Sequence, residues 1–313
     1  MKDRKVVIIG TGFVGATIGY TLLVKESVRE IVLIDIDKDK AEGEAMDIGH
    51  GVPFVRPMQV YAGEYRDCKD ADIIILAAGA AQKPGESRTD LLSRNASVFK
   101  SILQEVMRYC PKEVLLLAVT NPVDILTYIT LKITGLSPVR VIGSGTVLDT
   151  ARLRARLSEH THIDARNIHA YVLGEHGDSE VTAWHSAMIA GLPIGEFCNR
   201  CGQCSGASLE EIRQSVKNAA YEIVEKKGAT YYAVSLAAER IVRALGGGEN
   251  SILTVSGLCD GEYDIRDVCL SIPRAIGSHG IARSVEIPLS DGEIAALRRG
   301  ADRLRQLARQ IGY

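Results

Sequence analysis

Short apolar runs recur along the first 143 residues and are separated by segments in which apolar positions repeat with helical spacing. The runs are KVVII at 5–9, EIVLID ending at Asp35, MQVYAG at 58–63, ADIIILAAG at 71–79 and EVLLLAVTNP at 113–122. Residues 92–109 form a helical segment between two of them. Strands that are apolar throughout and alternate with helices are typical of a parallel sheet with both faces covered. The pattern therefore predicts a doubly wound α/β domain.

The pattern changes after VRVIGSG at 139–145. A long amphipathic helix begins near Leu148, mixed strand and helix segments follow, and an Arg-rich helical segment covers 291–310. We predict two domains, the doubly wound sheet at 1–143 and a mixed α+β substrate domain at 144–313. We expect the Arg-rich segment to be a solvated surface.

Composition narrows the classes of partner. Lys and Arg number 37 against 39 Asp and Glu, a net charge of −2, so no global basic field favours nucleic acid or an anionic membrane. We expect small molecules and other subunits as partners. The start MKDRKVVIIGTG turns apolar for too few residues to resemble a signal peptide, and no run reaches the roughly 20 residues that span a bilayer. We therefore expect a cytoplasmic protein.

Seven cysteines in a chain of 313 residues indicate reduced thiols rather than a disulfide framework. The segment CNRCGQC places Cys198, Cys201 and Cys204 at a spacing that metal and iron–sulfur ligands use. A fourth ligand with matching spacing is missing from the neighbouring sequence. We interpret the three as surface-loop thiols and predict no bound metal.

A glycine motif directly follows the first predicted strand. Gly10, Gly12 and Gly15 form G-x-G-x-x-G, in which the first glycine makes the turn, the second admits a pyrophosphate and the third lets the helix pack on the strand. Asp35 ends the next strand 20 residues later, where a carboxylate accepts hydrogen bonds from a ribose and repels a 2′-phosphate. The combination predicts a Rossmann-type site for NAD rather than NADP.

Candidate chemistry lies in the second half of the chain. His176 stands between glycines in LGEHGDS, and histidine is suited to exchange a proton near neutral pH. In LDTARLR, Asp149 and Arg152 are three apart and share one helix face. Asp149 could orient the imidazole and stabilise its protonated form, and Arg152 could hold a carboxylate through two parallel hydrogen bonds.

Several stretches, in order along nearly the whole chain, resemble the L-lactate/malate dehydrogenase family. They are GTGFVGATIGY, LIDIDKDKAEGEAMD, GAAQKPGESRTDLLSRN, TNPVDILTYI, LDTARLR and GEHGDSE. The resemblance implies that NADH reduces pyruvate to L-lactate, that His176 exchanges the proton with Asp149 as its partner, and that Arg152 anchors the carboxylate. It makes Arg88 the loop residue that polarises the carbonyl. The further substrate-side positions are Asn121, Asp124 and Thr230.

The same resemblance implies a set of NAD contacts beyond the three motif glycines. They are Val14, Asp35, Lys40, Tyr65, Gly79, Ala80, Ser101, Ala118, Val119, Thr120 and Ser144.

One loop position bears on the substrate. Relatives that reduce oxaloacetate place an Arg where this chain has Gln82, so that a second carboxylate is neutralised when the loop closes. Gln82 is neutral, and burying an uncompensated carboxylate costs several kcal/mol. We therefore expect pyruvate to be favoured over oxaloacetate. The alternatives are a malate or branched 2-hydroxy-acid dehydrogenase and, in a different class, a non-catalytic NAD-binding redox sensor that uses the three-cysteine segment.

A second anion site is also expected. Arg152 and Arg154 are two apart, about 200° around the helix axis, so both cannot line one pocket. In allosteric bacterial members of the family, the positions matching Arg154 and His169 bind fructose 1,6-bisphosphate across a subunit interface. The resemblance thus implies activation by fructose 1,6-bisphosphate and a homotetramer.

Overall fold

The computed structural model describes residues 4–80, 88–110, 113–202, 204 and 206–313, with residues 88 and 89 as backbone only. Its first half alternates strands and helices, as the apolar pattern predicts. The strands are β1 (Lys5–Ile9), β2 (Glu30–Ile34), β3 (Gln59–Ala62), β4 (Ile73–Leu76), β5 (Leu115–Ala118) and β6 (Val141–Gly143). The helices are α1 (Phe13–Val24), α2 (Lys38–Gly49), α3 (Arg88–Tyr109) and α4 (Val123–Thr134).

The second half mixes short strands with long helices. Its helices are α5 (Val147–Thr161), α6 (Ile194–Cys201), α7 (Leu209–Lys227), α8 (Tyr232–Gly247) and α9 (Asp291–Gln310). Its first strands are β7 (Ile168–His169), β8 (Val172–Leu173), β9 (Val181–Thr182), β10 (Met188–Ile189) and β11 (Leu192–Pro193). Its last strands are β12 (Ser251–Leu253), β13 (Ser256–Asp260), β14 (Arg266–Ser271), β15 (Arg274–Gly277) and β16 (Gly280–Ser284).

The main sheet has eight strands among the described residues, in the order β14-β13-β6-β5-β4-β1-β2-β3. Strands β1 to β6 are parallel, in the Rossmann order 3-2-1-4-5-6, so the predicted fold class is confirmed. Strand β13 then pairs antiparallel with β6, and β14 pairs antiparallel with β13. Strands from the second half therefore extend the sheet of the first, and the domain division at residue 143 stays a prediction.

Successive residues of the central strands enter two different cores, one on each face of the sheet. In β1, Val7 and Ile9 join the cluster that contains residues of α3 and α4, whereas Val6 and Ile8 join the cluster with residues of α1 and α8. This alternation is the two-residue period of a strand, and because both faces are covered the strand is apolar throughout. Helix α8, although distant in sequence, packs against α1 and completes the second layer.

Three smaller sheets belong to the second half: β11-β10-β7, β8-β9 and β12-β15-β16. Helices α5 and α7 enclose a third apolar cluster that includes Leu153, Leu157 and Val216. Helix α9 is only partly a solvated surface, because Leu297, Ala301 and Leu304 are buried against the main core. In the described part of the chain, no helix combines the length and apolar character that crossing a membrane requires.

Candidate active site

The glycine turn has the shape that a bound pyrophosphate needs. Gly10 has a φ of +99°, and a Cβ there would lie 2.4 Å from the amide nitrogen of Ala78. A Cβ on Gly15 would lie 1.8 Å from the carbonyl oxygen of Gly10, so helix and strand are in direct contact. A Cβ on Gly12 would meet nothing within 4 Å. Gly12 is also the N-cap of α1, so the helix N-terminus opens onto free space and fits a phosphate ligand.

Asp35 stands beside this turn at the end of β2. One carboxylate oxygen accepts hydrogen bonds from the backbone N–H of Thr11 at 2.6 Å and from its hydroxyl at 3.0 Å, and the other accepts from the N–H of Asp37 at 3.1 Å. Burial opposes ionisation, but these hydrogen bonds and the charge of Lys40 lower the pKa of Asp35. The residue is thus an ionised acceptor next to the phosphate cradle, which is the placement a ribose requires.

Six of the other expected NAD positions lie at the carboxyl edge of the main sheet, and four lie elsewhere. Gly79 and Ala80 follow β4, Ala118 ends β5 with Val119 and Thr120 next, and Ser144 follows β6, so all six lie at the carboxyl edge of the sheet. Open α/β sheets bind their ligands at this edge. Val14 lies in the first turn of α1, and Tyr65 is half-buried after β3. Lys40 lies in the first turn of α2, and Ser101 is exposed on α3.

His176, Asp149 and Arg152 form one connected group. Asp149 lies in the first turn of α5, is 2% exposed, and accepts from Arg152 Nη1 at 2.9 Å on one oxygen. Its other oxygen lies 2.5 Å from His176 Nδ1. Burial disfavours the imidazolium, but the Asp149 carboxylate outweighs this and raises the pKa of His176 to about 9. The imidazole is therefore held in its protonated form at neutral pH.

The backbone of the segment that carries His176 is held by a hydrogen bond to Asp124. Asp124, in the first turn of α4 and 2% exposed, accepts the backbone N–H of His176 at 2.8 Å. Its other oxygen accepts from the Ser256 hydroxyl at 2.6 Å and from the Ser271 hydroxyl at 3.4 Å. Burial raises the pKa of Asp124 to about 6, and these hydrogen bonds favour its ionised form. The structure thus places Asp124 behind the imidazole.

A cavity of about 490 Å³ opens beside this group. Asn121, Asp149, Arg152 and His176 line it together, as the sequence predicts. Thr230 lies between α7 and α8 and is not among the described residues that line the cavity. Gln82 lies outside the described residues, and the backbone of Arg88 begins α3 while its side chain is outside the description. The further lining residues are Leu91, Leu92, Pro122, Ile125, Glu175, Gly177, Asp178, Glu180, Lys217, Ala220, Tyr221, Arg303 and Leu307.

Comparison with known families decides the identity. The model of the lactate/malate dehydrogenase NAD-binding domain matches residues 4–143, and the model of the α/β C-terminal domain of the same family matches residues 146–311. The chain belongs to the lactate/malate dehydrogenase family. It is an NAD-dependent oxidoreductase, and the glycine turn with Asp35 is consistent with NAD as its cofactor.

Individual members of the family are similar over the full length. The chain is 54% identical over 309 residues to an L-lactate dehydrogenase of Acetivibrio thermocellus, covering 98% of this chain and 97% of that protein. It is 55% identical over 309 residues to an L-lactate dehydrogenase of Thermoanaerobacter pseudethanolicus, covering 98% and 99%. The crystal structure of a lactate dehydrogenase from a deep-sea metagenome library superposes with a TM-score of 0.97 at 44% identity and covers 100% of both chains.

The sequence did not reveal two polar residues at the dehydrogenase site. Asn95, 2% exposed on α3, accepts the N–H of Ala80 at 2.9 Å and donates to the carbonyl of Asn121 at 3.3 Å, so it joins two of the loops at the carboxyl edge. Glu180 lines the cavity, and within the described part of the chain its buried Oε1 has no hydrogen-bond partner. Burial raises the pKa of Glu180 to about 7. The sequence offered one signal for these two residues, which is a polar Asn at position 95 within the predicted helical segment 92–109.

Arg154 and His169 are the two positions expected to bind an effector in this dehydrogenase, and the Arg154 side chain reaches the residue next to His169. The Nε of Arg154 donates to the carbonyl of Ala170 at 3.0 Å, and its guanidinium lies 5.0 Å from the ring centre of Tyr171. His169 is the residue before Ala170, and it is exposed on β7. Arg154 therefore points to the strand that carries His169, away from the Asp149 side of α5.

The three-cysteine segment was expected to be a surface loop, but Cys198 and Cys201 lie in helix α6 and only Cys204 follows it. Cys198, Cys201 and Cys204 are each partly buried, and Nε2 of His160, 38 residues before Cys198, lies 3.4 Å from Cys198 Sγ. His160, from the last turn of α5, therefore lies close to this segment in the fold.

Proposed function

We propose that the chain is an L-lactate dehydrogenase that interconverts pyruvate with NADH and L-lactate with NAD. The observation that carries the proposal is the single cavity in which His176, Asp149, Arg152 and Asn121 meet. It holds a cation for a carboxylate, a protonated imidazole for a carbonyl oxygen and an amide donor. These are the groups that a small 2-oxo acid requires. The similarity to L-lactate dehydrogenases over the full chain supports the same substrate pair.

Each residue has a proposed role. Arg152 holds the substrate carboxylate through paired hydrogen bonds, and Asn121 donates to the substrate. His176 gives a proton to the carbonyl oxygen as it becomes an alcohol and takes the proton back in the reverse direction. Asp149 stabilises the imidazolium, Asp124 fixes the backbone of His176, and Arg88 stabilises the charge that develops on the oxygen. Bound NADH supplies the hydride that reduces the substrate carbon.

The preference for pyruvate is proposed to depend on Gln82. A neutral side chain at this loop position leaves the second carboxylate of oxaloacetate uncompensated, at a cost of several kcal/mol. The test is to follow NADH absorbance with pyruvate, oxaloacetate and 2-oxoisocaproate, in the wild type and in Gln82→Arg. We expect pyruvate to be preferred by about 100-fold or more over oxaloacetate. We expect Gln82→Arg to shift the ratio toward oxaloacetate.

The outcomes separate the alternatives. A wild type that prefers oxaloacetate or 2-oxoisocaproate would indicate a malate or branched-acid dehydrogenase. Absence of turnover with all three acids, with NADH still bound, would indicate a non-catalytic NAD-binding protein. An unchanged ratio in Gln82→Arg would mean that this residue does not face the substrate.

We further propose that the enzyme is a cytoplasmic homotetramer activated by fructose 1,6-bisphosphate at Arg154 and His169. The placement of Arg154 beside the strand of His169, on the helix face opposite Arg152, supports this site. A bisphosphate bridging these cations between two subunits would relieve their repulsion and favour the arrangement that binds pyruvate well.

Pyruvate saturation with and without fructose 1,6-bisphosphate tests this site. The comparison is among the wild type, Arg154→Gln and Arg156→Gln, where Arg156 is an exposed residue of the same helix paired with Glu159. We expect activation in the wild type and in Arg156→Gln, and its loss in Arg154→Gln. Identical wild-type curves would refute activation, and activation that survives in Arg154→Gln would place the effector elsewhere.

A further inference from the structure

Two cysteine sulfurs and one histidine nitrogen converge at the end of α5 that lies away from the active site. The ligand atoms of His160, Cys198 and Cys204 all lie within 4.8 Å of one another, with His160 Nε2 3.4 Å from Cys198 Sγ. Cys204 is also hydrogen-bonded to the thiols of Cys198 and Cys201. His160 is only 6% exposed, so its ring is fixed among its neighbours. Three ligand atoms thus meet at one point, and the Cys201 thiol, hydrogen-bonded to Cys204, is the next donor to this group.

Local backbone geometry explains why the cysteines converge. Cys198 and Cys201 are three apart in the last turns of α6 and share a helix face. The helix ends at Gly202, whose left-handed φ of 62° reverses the chain and returns Cys204 toward that face. His160 comes from the last turn of α5, which packs in the same apolar cluster as α6.

The geometry points to a structural zinc site formed by His160 Nε2 and the thiolates of Cys198, Cys201 and Cys204. In a tetrahedral site with Zn–S bonds of about 2.3 Å and a Zn–N bond of about 2.0 Å, sulfur and nitrogen ligands stand about 3.6 Å apart. The observed 3.4 Å between His160 and Cys198 matches this edge. A four-iron cluster would hold its ligand atoms farther apart, so the close approach favours a single ion. Three thiolates and one imidazole are a ligand set that zinc prefers.

The site would join the segment between α6 and α7 to the end of α5. Asp149 and His160 stand eleven residues apart on this helix, about 16 Å along its axis, so the ion would not touch the substrate. Four protein ligands leave no position for a reacting water, which is the arrangement of structural rather than catalytic zinc. Zinc binding would therefore stabilise the fold and displace thiol protons without taking part in the reaction.

Metal content tests the proposal directly. The full-length chain is purified under a thiol-free reductant with zinc present, dialysed into metal-free buffer and measured by elemental mass spectrometry. We expect about one zinc per chain in the wild type and in Cys110→Ser, a matched control that removes a thiol of the first half. We expect loss of zinc in Cys198→Ser and Cys204→Ser, a lower melting temperature for those variants, and an unchanged kcat for pyruvate reduction.

A second measurement covers variants that fail to fold. Wild-type chain stripped of metal is titrated with Co²⁺, and thiolate-to-cobalt absorption of tetrahedral type should appear at one equivalent and vanish when Zn²⁺ is added. Wild type that holds no stoichiometric zinc and gives no such absorption would overturn the proposal. So would zinc retained by both Cys198→Ser and Cys204→Ser.

Discussion

The protonation of His176 depends on the charge of Asp149, so replacing Asp149 should change how kcat/KM for pyruvate varies with pH. In the proposed reaction the imidazolium is the acid in pyruvate reduction. Its pKa is raised to about 9, so kcat/KM should be level near neutral pH and fall above about pH 9. In Asp149→Asn the carboxylate that raises the pKa is gone and burial lowers it, so the fall should move toward pH 6.5 or below. Steady-state rates across pH measure both limbs. An unmoved limb in the variant would show that Asp149 does not set the protonation of His176.

The two arginines that are proposed to act on the substrate should give different kinetic defects when each is replaced by Gln. Arg152→Gln should raise KM for pyruvate by about 100-fold or more, since each charge-assisted hydrogen bond contributes about 1.5–3 kcal/mol to holding the carboxylate. Arg88→Gln should lower kcat by roughly 100- to 1,000-fold with a smaller change in KM, because its charge is proposed to act on the developing oxyanion. Saturation kinetics of the two variants compare these effects. The same profile in both would contradict the division of roles.

At the residue scale, the sequence predicts local relations and misses distant ones. The spacing of Asp149 and Arg152 places them on one helix face, and in the structure Arg152 Nη1 lies 2.9 Å from Asp149 Oδ1. Asp124 bonds the backbone of a residue 52 positions away. Such partners depend on how strands and helices assemble, which no local pattern contains. The roles of Gln82 and Arg88 remain predictions, because their side chains lie outside the described structure.

At the element scale, the apolar runs predicted five of the six parallel strands of the first half, β1 to β5, and missed the three-residue β6. They succeeded because a strand buried on both faces is apolar throughout, as in Ile73–Leu76. The pattern did not predict that β13 and β14 extend the same sheet. Their pairing is antiparallel and distant in sequence, and the strands of the second half are as short as two residues in β7 to β11.

The glycine turn between β1 and α1 allows a matched pair of substitutions. Gly15→Ala places a Cβ 1.8 Å from the Gly10 carbonyl, so backbone must move, and we expect a loss of about 1–3 kcal/mol in the free energy of unfolding. Gly12→Ala meets nothing in the protein and has an ordinary φ of −68°, so it should fold normally. It should nevertheless bind NADH more weakly, because its methyl group occupies the approach to the pyrophosphate. Denaturant unfolding and NADH fluorescence titration separate the two effects. Wild-type NADH affinity in Gly12→Ala would contradict this assignment.

At the scale of the whole molecule, the two halves share their core. Ile241, Val242 and Leu245 of α8 are buried in the cluster that covers β1 and β4 of the first half. A fragment of residues 1–143 would expose this apolar face and the edge of β6 that pairs with β13. We expect the fragment to aggregate or to lack the cooperative unfolding of the full chain, as followed by circular dichroism. A soluble fragment that unfolds cooperatively and binds NADH would show instead that the first half is an independent domain.

We propose above all that His176 exchanges the proton at the reacting carbonyl while NAD is held by other residues. The direct measurement combines NADH binding and turnover in His176→Ala. We predict that NADH binds with near wild-type affinity, because the glycine turn and Asp35 are unchanged, while kcat/KM for pyruvate falls by roughly 100- to 10,000-fold. Turnover near the wild-type rate in this variant would contradict the account.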